Sequence, residues 1–309
     1  MTEGSRKAVL YAFFANLGIA IAKFAGFAIT ASAGLLAEAI HSLADTGNQA
    51  LLLLGGKRAM KRADREHPFG YGRERYFWSF VVALVLFSMG GLFALYEGIE
   101  KVRHPHEVSY LPVAIGILLI AIALETLSLR KAIKESARSK GSSETSWWTW
   151  LRRSKQPELP VVLLEDIGAE IGLFLALGGV LLAHFTDEPR WDAVGSISIG
   201  VLLVVIAIFL AIEMKGLLIG EAATDADVDR ITSTLESADG VRRLIHMRTQ
   251  HLGPEEVLVA AKLEFEPEMT ADQIADAINA AETSLRDAVP IARVIYLEPD
   301  RQREPSASA

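Results

Sequence analysis

The chain contains no cysteine, which excludes a disulfide framework, a thiolate zinc site and a cysteine nucleophile. Any metal it handles must meet imidazole and carboxylate instead. Basic charge is also in short supply. Lys and Arg number 31 against 38 Asp and Glu, a net charge of −7, so nucleic acid is not an expected partner. No Walker-type phosphate loop occurs, which removes ATP as an expected source of drive. Nor does a nucleophile stand at readable spacing from a paired base. The chain is therefore expected not to be an enzyme and to carry no resident cofactor.

What the sequence has in abundance is apolar residues. At 51% hydrophobic and a mean hydropathy of +0.29 it is too apolar for an ordinary soluble protein. At 22% charged it cannot lie wholly in lipid either. The two figures agree if the chain is divided. From Gly220 to Ala309, 9 basic residues face 18 acidic ones, and this acidic third reads as a water-soluble module after an apolar body. The expected domains are a transmembrane domain over 1–219, an α+β domain over 220–300 and a disordered tail over 301–309.

A helix needs roughly 20 apolar residues to cross a bilayer core. Six stretches qualify: about Ala8–Ile29, Ser32–Gly56, Tyr76–Gly98, Leu111–Leu129, Pro160–Phe185 and Ala193–Met214. The first two are so close that they should form an antiparallel hairpin. Lys and Arg number 17 in the head and in the second-to-third and fourth-to-fifth connections, against 3 in the alternate loops. By the positive-inside rule both termini are cytoplasmic. An integral, multi-pass protein of the cell (inner) membrane is expected. Trp147, Trp148 and Trp150 in the fourth connection are read as headgroup-level anchors.

The acidic third reads as helix, strand, strand, helix, strand. Thr224 or Asp225 caps a helix that Gly240 stops. Strands over Val241–Gln250 and Val257–Phe265 flank a turn at Gly253–Pro254. Thr270 with Gln273 forms a capping box for a helix to Ala288, and Ile291–Leu297 is the last strand. That order gives a sheet with helices on one face. Pro305–Ala309 should fray.

Ionisable residues inside a span are costly, and each is a functional candidate. The second span carries Glu38, His41, Asp45 and Asn48 along one side. His41 and Asp45, four residues apart, lie about 40° apart around a helix and about 6 Å apart along it, so both can reach one ion. The blander reading, polar side chains gluing helices together, is preferred for Asn16, Asn48 and Gln49. The fifth span carries Glu165, Asp166 and Glu170, which would repel one another strongly if ionised and unpaired. Asp166 and Glu170 share a face, and Glu165 points about 100° away from Asp166. Glu165 is read either as a ligand or as a residue facing water near the membrane surface, and Glu170 is an alternative to it. One imidazole with two or three carboxylates suits a divalent ion such as Zn²⁺, Fe²⁺ or Mn²⁺. Metal needs the imidazole neutral and the acids ionised, so protons compete for the same atoms. Lys23 is expected to pair with Glu38 or to snorkel, and Glu125 is a candidate proton relay.

The run from Asn16 and Lys23 through Ser32–Asp45 resembles the first two helices of the cation diffusion facilitator family. His67–Arg73 (HPFGYGR) resembles that family's entry to its third helix. Asp192–Ser196 and Leu217–Gly220 resemble the start of its sixth helix and the junction to its cytosolic domain. The likeness covers nearly the whole chain. It implies six transmembrane helices with a small cytosolic α+β domain, and a homodimeric antiporter that expels divalent metal, Zn²⁺ foremost, against protons across the lipid bilayer. In the family's transport site His41 and Asp45 match the pair from the second helix, and Asp166 the later member of the pair from the fifth. The earlier member falls on Val162, which cannot bind metal, so Glu165, one turn on, is the substitute ligand. Leu163–Asp166 resembles a divergent zinc-transporter branch.

Two further metal positions of the family are incomplete here. Asp64 and His67 match ligands in the loop before the third helix, but Tyr71 stands where a histidine would be needed. In the tail His246 matches a regulatory ligand, while Lys262 and Tyr296 replace its partners, so the tail is expected to serve as a dimer contact. His251 is read as a surface residue. A competing function from another class is a membrane-embedded sensor or assembly protein that binds metal without carrying it.

Overall fold

The computed structural model describes residues 3–105, 110–140 and 146–301, with backbone alone for 3–12 and 15. The expectation of a frayed Pro305–Ala309 lies outside the described residues. Two compact units are formed. One runs to Met60 and resumes over Glu74–Lys215; the other joins Lys61–Arg73 to the chain from Gly216 onward.

The first unit is helical: α1 (Glu3–Thr30), α2 (Ala33–Ala59), α3 (Glu74–Val85), a π-helical segment (Leu86–Leu92), α4 (Phe93–Arg103), α5 (Leu111–Lys140), α6 (Trp147–Arg153), α7 (Glu158–Thr186) and α8 (Arg190–Ile219). With the π segment, α3 and α4 make one continuous rod, Glu74–Arg103. That rod, α5, α7 and α8 are each long and apolar enough to cross a bilayer. Helix α1 adds the apolar stretch Asn16–Thr30. Helix α2 is as long as its neighbours but is diluted by buried polar residues. It packs against α1, the α3–α4 rod and α7, so most of its circumference is covered by protein. Helix α6 was not foreseen. Ser146 caps it by accepting from Thr149 N. Trp147 and Trp148 stay exposed, but Trp150 is buried in the helical body and is not the anchor expected of it.

The α1–α2 hairpin turns on Ala31, which takes a left-handed φ of 52°. Beyond it Ser32 caps α2. Asp192, in the first turn of α8, accepts from Ser32 Oγ and from Ala33 N, both at 2.9 Å. Lys101 near the end of α4 donates to Asp192 at 2.7 Å and to the Ala31 carbonyl at 3.2 Å. Four helix ends are thereby tied by one buried carboxylate and one buried ammonium. Farther along, the rod and α8 touch through glycine. A side chain on Gly91 or Gly200 would strike the backbone of the opposite helix, so these two positions set how closely the helices approach.

The second unit holds α9 (Asp225–Glu236), β1 (Val241–Gly253), β2 (Glu256–Phe265), α10 (Ala271–Ala288) and β3 (Ala292–Pro299), the expected order. The sheet runs β1-β2-β3, with β1 antiparallel and β3 parallel to β2. A parallel neighbour needs a crossover, and α10 supplies it. Burial alternates strictly along β2. Val257, Val259, Ala261 and Leu263 form one face of a core with Ile231 and Leu235 of α9 and Ala281 and Leu285 of α10. Thr224 caps α9, Thr270 and Gln273 form the capping box, and Gly240 takes a φ of 77° before β1. His251 is buried beside the β1–β2 turn, its Nδ1 3.1 Å from the Gly253 carbonyl, which corrects its reading as a surface residue. Strand β1 runs on beneath the Lys61–Arg73 segment, where Gly72 meets Leu252 and Gly253 too closely for any side chain. The His251 backbone is also tied down, its N–H donating to the Glu221 carbonyl at 2.8 Å.

Lys101→Met should leave Asp192 buried without its cation, a loss of about 3–5 kcal/mol for breaking a buried pair. The measurement is thermal unfolding of the purified protein in detergent. A melting temperature equal to that of the parent would show that the pair does not hold the helix ends.

Candidate metal site

The polar stripe of α2 follows from helical spacing. Glu38, His41, Ser42, Asp45 and Asn48 recur every three or four residues and are all buried. His41 Nε2 stands 3.5 Å from Asp45 Oδ2. Neither ring nitrogen of His41 makes a hydrogen bond among the described residues, and neither Asp45 Oδ1 nor Asn48 Oδ1 has a partner. Buried polar atoms left unmade are expensive. Four of them on one helix face mark a place for something that accepts lone pairs.

The opposing wall comes from α7. Glu165 is buried and accepts from Asn48 Nδ2 at 2.6 Å, which removes the reading of Glu165 as a residue facing water. Asp166 accepts from Ser128 Oγ of α5 at 3.0 Å, and Glu170 from Thr126 Oγ1 of the same helix at 2.7 Å. The three acids of α7 thus divide as their spacing requires, one toward α2 and two toward α5. The structure therefore brings His41 to Asp45 and joins Glu165 to the same stripe through Asn48. It does not draw three acid or imidazole side chains among the described residues into one tight group.

One partner and one contributor escaped the sequence reading. Asn48 makes the interhelical bond expected of it, and its partner is Glu165, which it turns toward α2. Gly90, in the π segment, lies against His41: a methyl group there would sit 3.7 Å from Nδ1. Single π turns inside α-helices recur at functional sites, and this one brings backbone, not side chain, to the imidazole. The only signal was the Gly90-Gly91 pair in mid-span, which the hydropathy pattern absorbed.

The two outlying positions are closed by other chemistry. Asp64 accepts from His67 N at 2.8 Å and from the Tyr71 hydroxyl at 2.7 Å. The His67 backbone amide, followed by the Tyr71 hydroxyl, holds the Asp64 carboxyl below the usual carboxylate range. In β1, His246 pairs across to Lys262 and accepts from Arg248 Nε at 3.2 Å. Lys262 is held by Asp300 at 2.8 Å and by Glu298 at 3.2 Å, and these two bonds raise its pKa in that order. A tyrosine and a lysine occupy the neighbours' lone pairs where histidines would be needed.

Both parts of the chain match known family models. Residues 9–219 match the family model described as the cation efflux transmembrane domain, and 223–300 match the cation efflux protein cytoplasmic domain. The mouse mitochondrial proton-coupled zinc antiporter SLC30A9 is 33% identical over 85% of this chain and 47% of its own length. The chain thus spans about half the length of that relative. Magnetosome protein MamB of a Magnetospira species is 28% identical over 90% of this chain and 92% of its own. Among solved structures, a nickel form of the MamM C-terminal domain aligns with 26% of this chain and 100% of its own length, at 20% identity and a TM-score of 0.25.

Asn48→Ala should free Glu165 to turn and weaken metal binding about 10–100-fold, the usual effect of removing a group that orients a ligand. Equilibrium metal binding by the folded variant tests this. Affinity equal to that of the parent would mean that Asn48 is only glue.

Proposed function

Because the chain belongs to the cation efflux family, also called the cation diffusion facilitators, we propose that it carries a divalent transition-metal ion across a membrane in exchange for protons. Zn²⁺ is the foremost cargo, with Mn²⁺ and Fe²⁺ as alternatives. The observation that carries this reading is the buried His41–Asp45 pair, three of its polar atoms unpartnered, on the helix face that Glu165 of a second helix meets through Asn48.

The chemistry follows from those donors. His41 offers a neutral imidazole nitrogen and Asp45, Glu165 and Asp166 offer carboxylate oxygens, a set suited to borderline and hard divalent ions. The same atoms take protons, so loading with protons on one side weakens metal binding there and the ion leaves. Exchange needs no nucleotide. Glu165 is preferred to Glu170 as the fourth ligand because it faces α2 through Asn48, whereas Glu170 bonds Thr126 on α5 through one oxygen. Release toward the far side requires the bundle to present the site to each side in turn, and the π segment beside His41 is a natural place for a helix to adjust its register.

The bias of basic residues toward alternate loops supports both termini in the cytosol, and outward movement of metal is the direction that the family likeness implies. The C-terminal unit acts as a contact within a homodimer. Regulation of the tail by metal is not part of this reading, because Lys262 and Arg248 supply cations where metal would otherwise bind.

Reconstituted in vesicles with an imposed pH gradient, the protein should move Zn²⁺, and His41→Ala or Asp45→Ala should abolish the flux while the protein remains folded. Full activity in both variants would refute the site. Metal bound without flux at any gradient would favour the sensor or assembly reading instead. Glu165→Gln should weaken equilibrium Zn²⁺ binding more than Glu170→Gln, and the reverse order would transfer the fourth ligand to Glu170.

A further inference from the structure

Beside His41 and Asp45 lies a second group of buried charge that the proposed exchange does not use. Lys23 of α1 is fully buried. Its ammonium donates to Glu38 Oε2 of α2 at 3.1 Å and to Ser42 Oγ at 2.8 Å, and stands 3.7 Å from Glu125 Oε1 of α5. Three helices thus surround one positive nitrogen with two carboxylates and a hydroxyl. That is an oxygen shell of the kind a hard cation takes, occupied by a side chain. Glu38 has capacity to spare: its Oε1 is buried without a hydrogen-bond partner. This oxygen lies where a side chain at residue 172 of α7 would be, and residue 172 is glycine. One acid would satisfy a structural Lys–Glu pair. A second acid on a third helix and an unpartnered oxygen are more than such a pair needs.

We propose that Lys23 is a tethered cation filling a second cation pocket formed by Glu38, Glu125 and Ser42, and that it thereby confines the divalent cargo to the neighbouring site. Glu38 is one helical turn from His41, so an ion held in this pocket would sit beside the transport site. Being covalently attached, the ammonium competes with free metal as an intramolecular ligand at high effective concentration. The pocket's chemistry, two carboxylates and a hydroxyl without sulfur, would accept a divalent ion if the lysine were removed.

The inference rests on reading His41 and Asp45 as cargo ligands, and the test separates the two. Full-length protein in detergent is titrated with Zn²⁺ alone and the bound metal counted by equilibrium dialysis. The parent should bind one ion per chain, lost in His41→Ala. Lys23→Gln, which keeps a hydrogen-bond donor but removes the charge, should bind two. That number should fall to one in Lys23→Gln/Glu38→Gln and likewise in Lys23→Gln/His41→Ala. A single ion in Lys23→Gln would overturn the proposal while leaving the transport site standing; no His41-dependent ion in the parent would instead overturn the transport reading and the inference with it. If Lys23→Gln does not fold, Glu38→Gln and Glu125→Gln decide the matter with Lys23 in place. Each should keep one ion at unchanged affinity, and loss of that ion from either would make the acid a cargo ligand and overturn the proposal.

Discussion

The constraint on which the rest of the helical unit depends is the cost of placing charge away from water. Isolated in lipid, α2 with Glu38, His41, Asp45 and Asn48 would be a poor membrane helix. It is tolerable because α1, the α3–α4 rod and α7 cover it and because each neighbour answers part of its polar stripe. Lys23 answers Glu38 and Ser42, and Glu165 answers Asn48. What remains unanswered includes both ring nitrogens of His41 and one oxygen each of Glu38, Asp45 and Asn48. Of these residues, His41 alone has both of its polar side-chain atoms buried without a hydrogen-bond partner among the described residues.

Much of this was legible because helical and strand periods are strict. The split of Glu165 from Asp166 and Glu170 follows from about 100° per residue, and the structure turns the first to α2 and the other two to α5. The tail's order of elements was equally readable, since Thr224, Gly240 and the Thr270–Gln273 box each carry a local mechanism that tertiary context had no reason to override. What could not be read were contacts whose signal lies in two distant segments at once. Asn48 looks like any interhelical amide until Glu165 is opposite it. Gly90 gives no hint of His41, because absence of a side chain is informative only when the neighbour is known. His251 looked exposed since a polar residue near a turn usually is, and its bond to the distant Glu221 carbonyl has no local signal.

The same logic explains why two family positions fail here in different ways. At Asp64, Tyr71 supplies a neutral hydroxyl that satisfies the carboxylate without adding charge. At His246, Lys262 and Arg248 add positive charge outright, and Lys262 is in turn anchored by Glu298 and Asp300. Reversion of the first needs one donor restored, whereas the second would also strand two acids. The two losses are chemically unequal although each is a single residue type in the sequence.

Lys23 joins these cases into one pattern. In the tail and in the membrane bundle alike, a lysine ammonium is held by two carboxylates. On the proposed function, a carrier gains from having few places where a doubly charged ion can rest. Each additional acidic pocket within reach of the path would lengthen the dwell of the cargo, because the ion is attracted to every unscreened carboxylate in a low-dielectric interior. Filling such pockets with a covalently held ammonium keeps the acids that the fold uses for helix contacts and withholds them from the ion. The bare lone pairs of His41 and Asp45 then stand out by contrast, as buried groups that no tethered cation has been given.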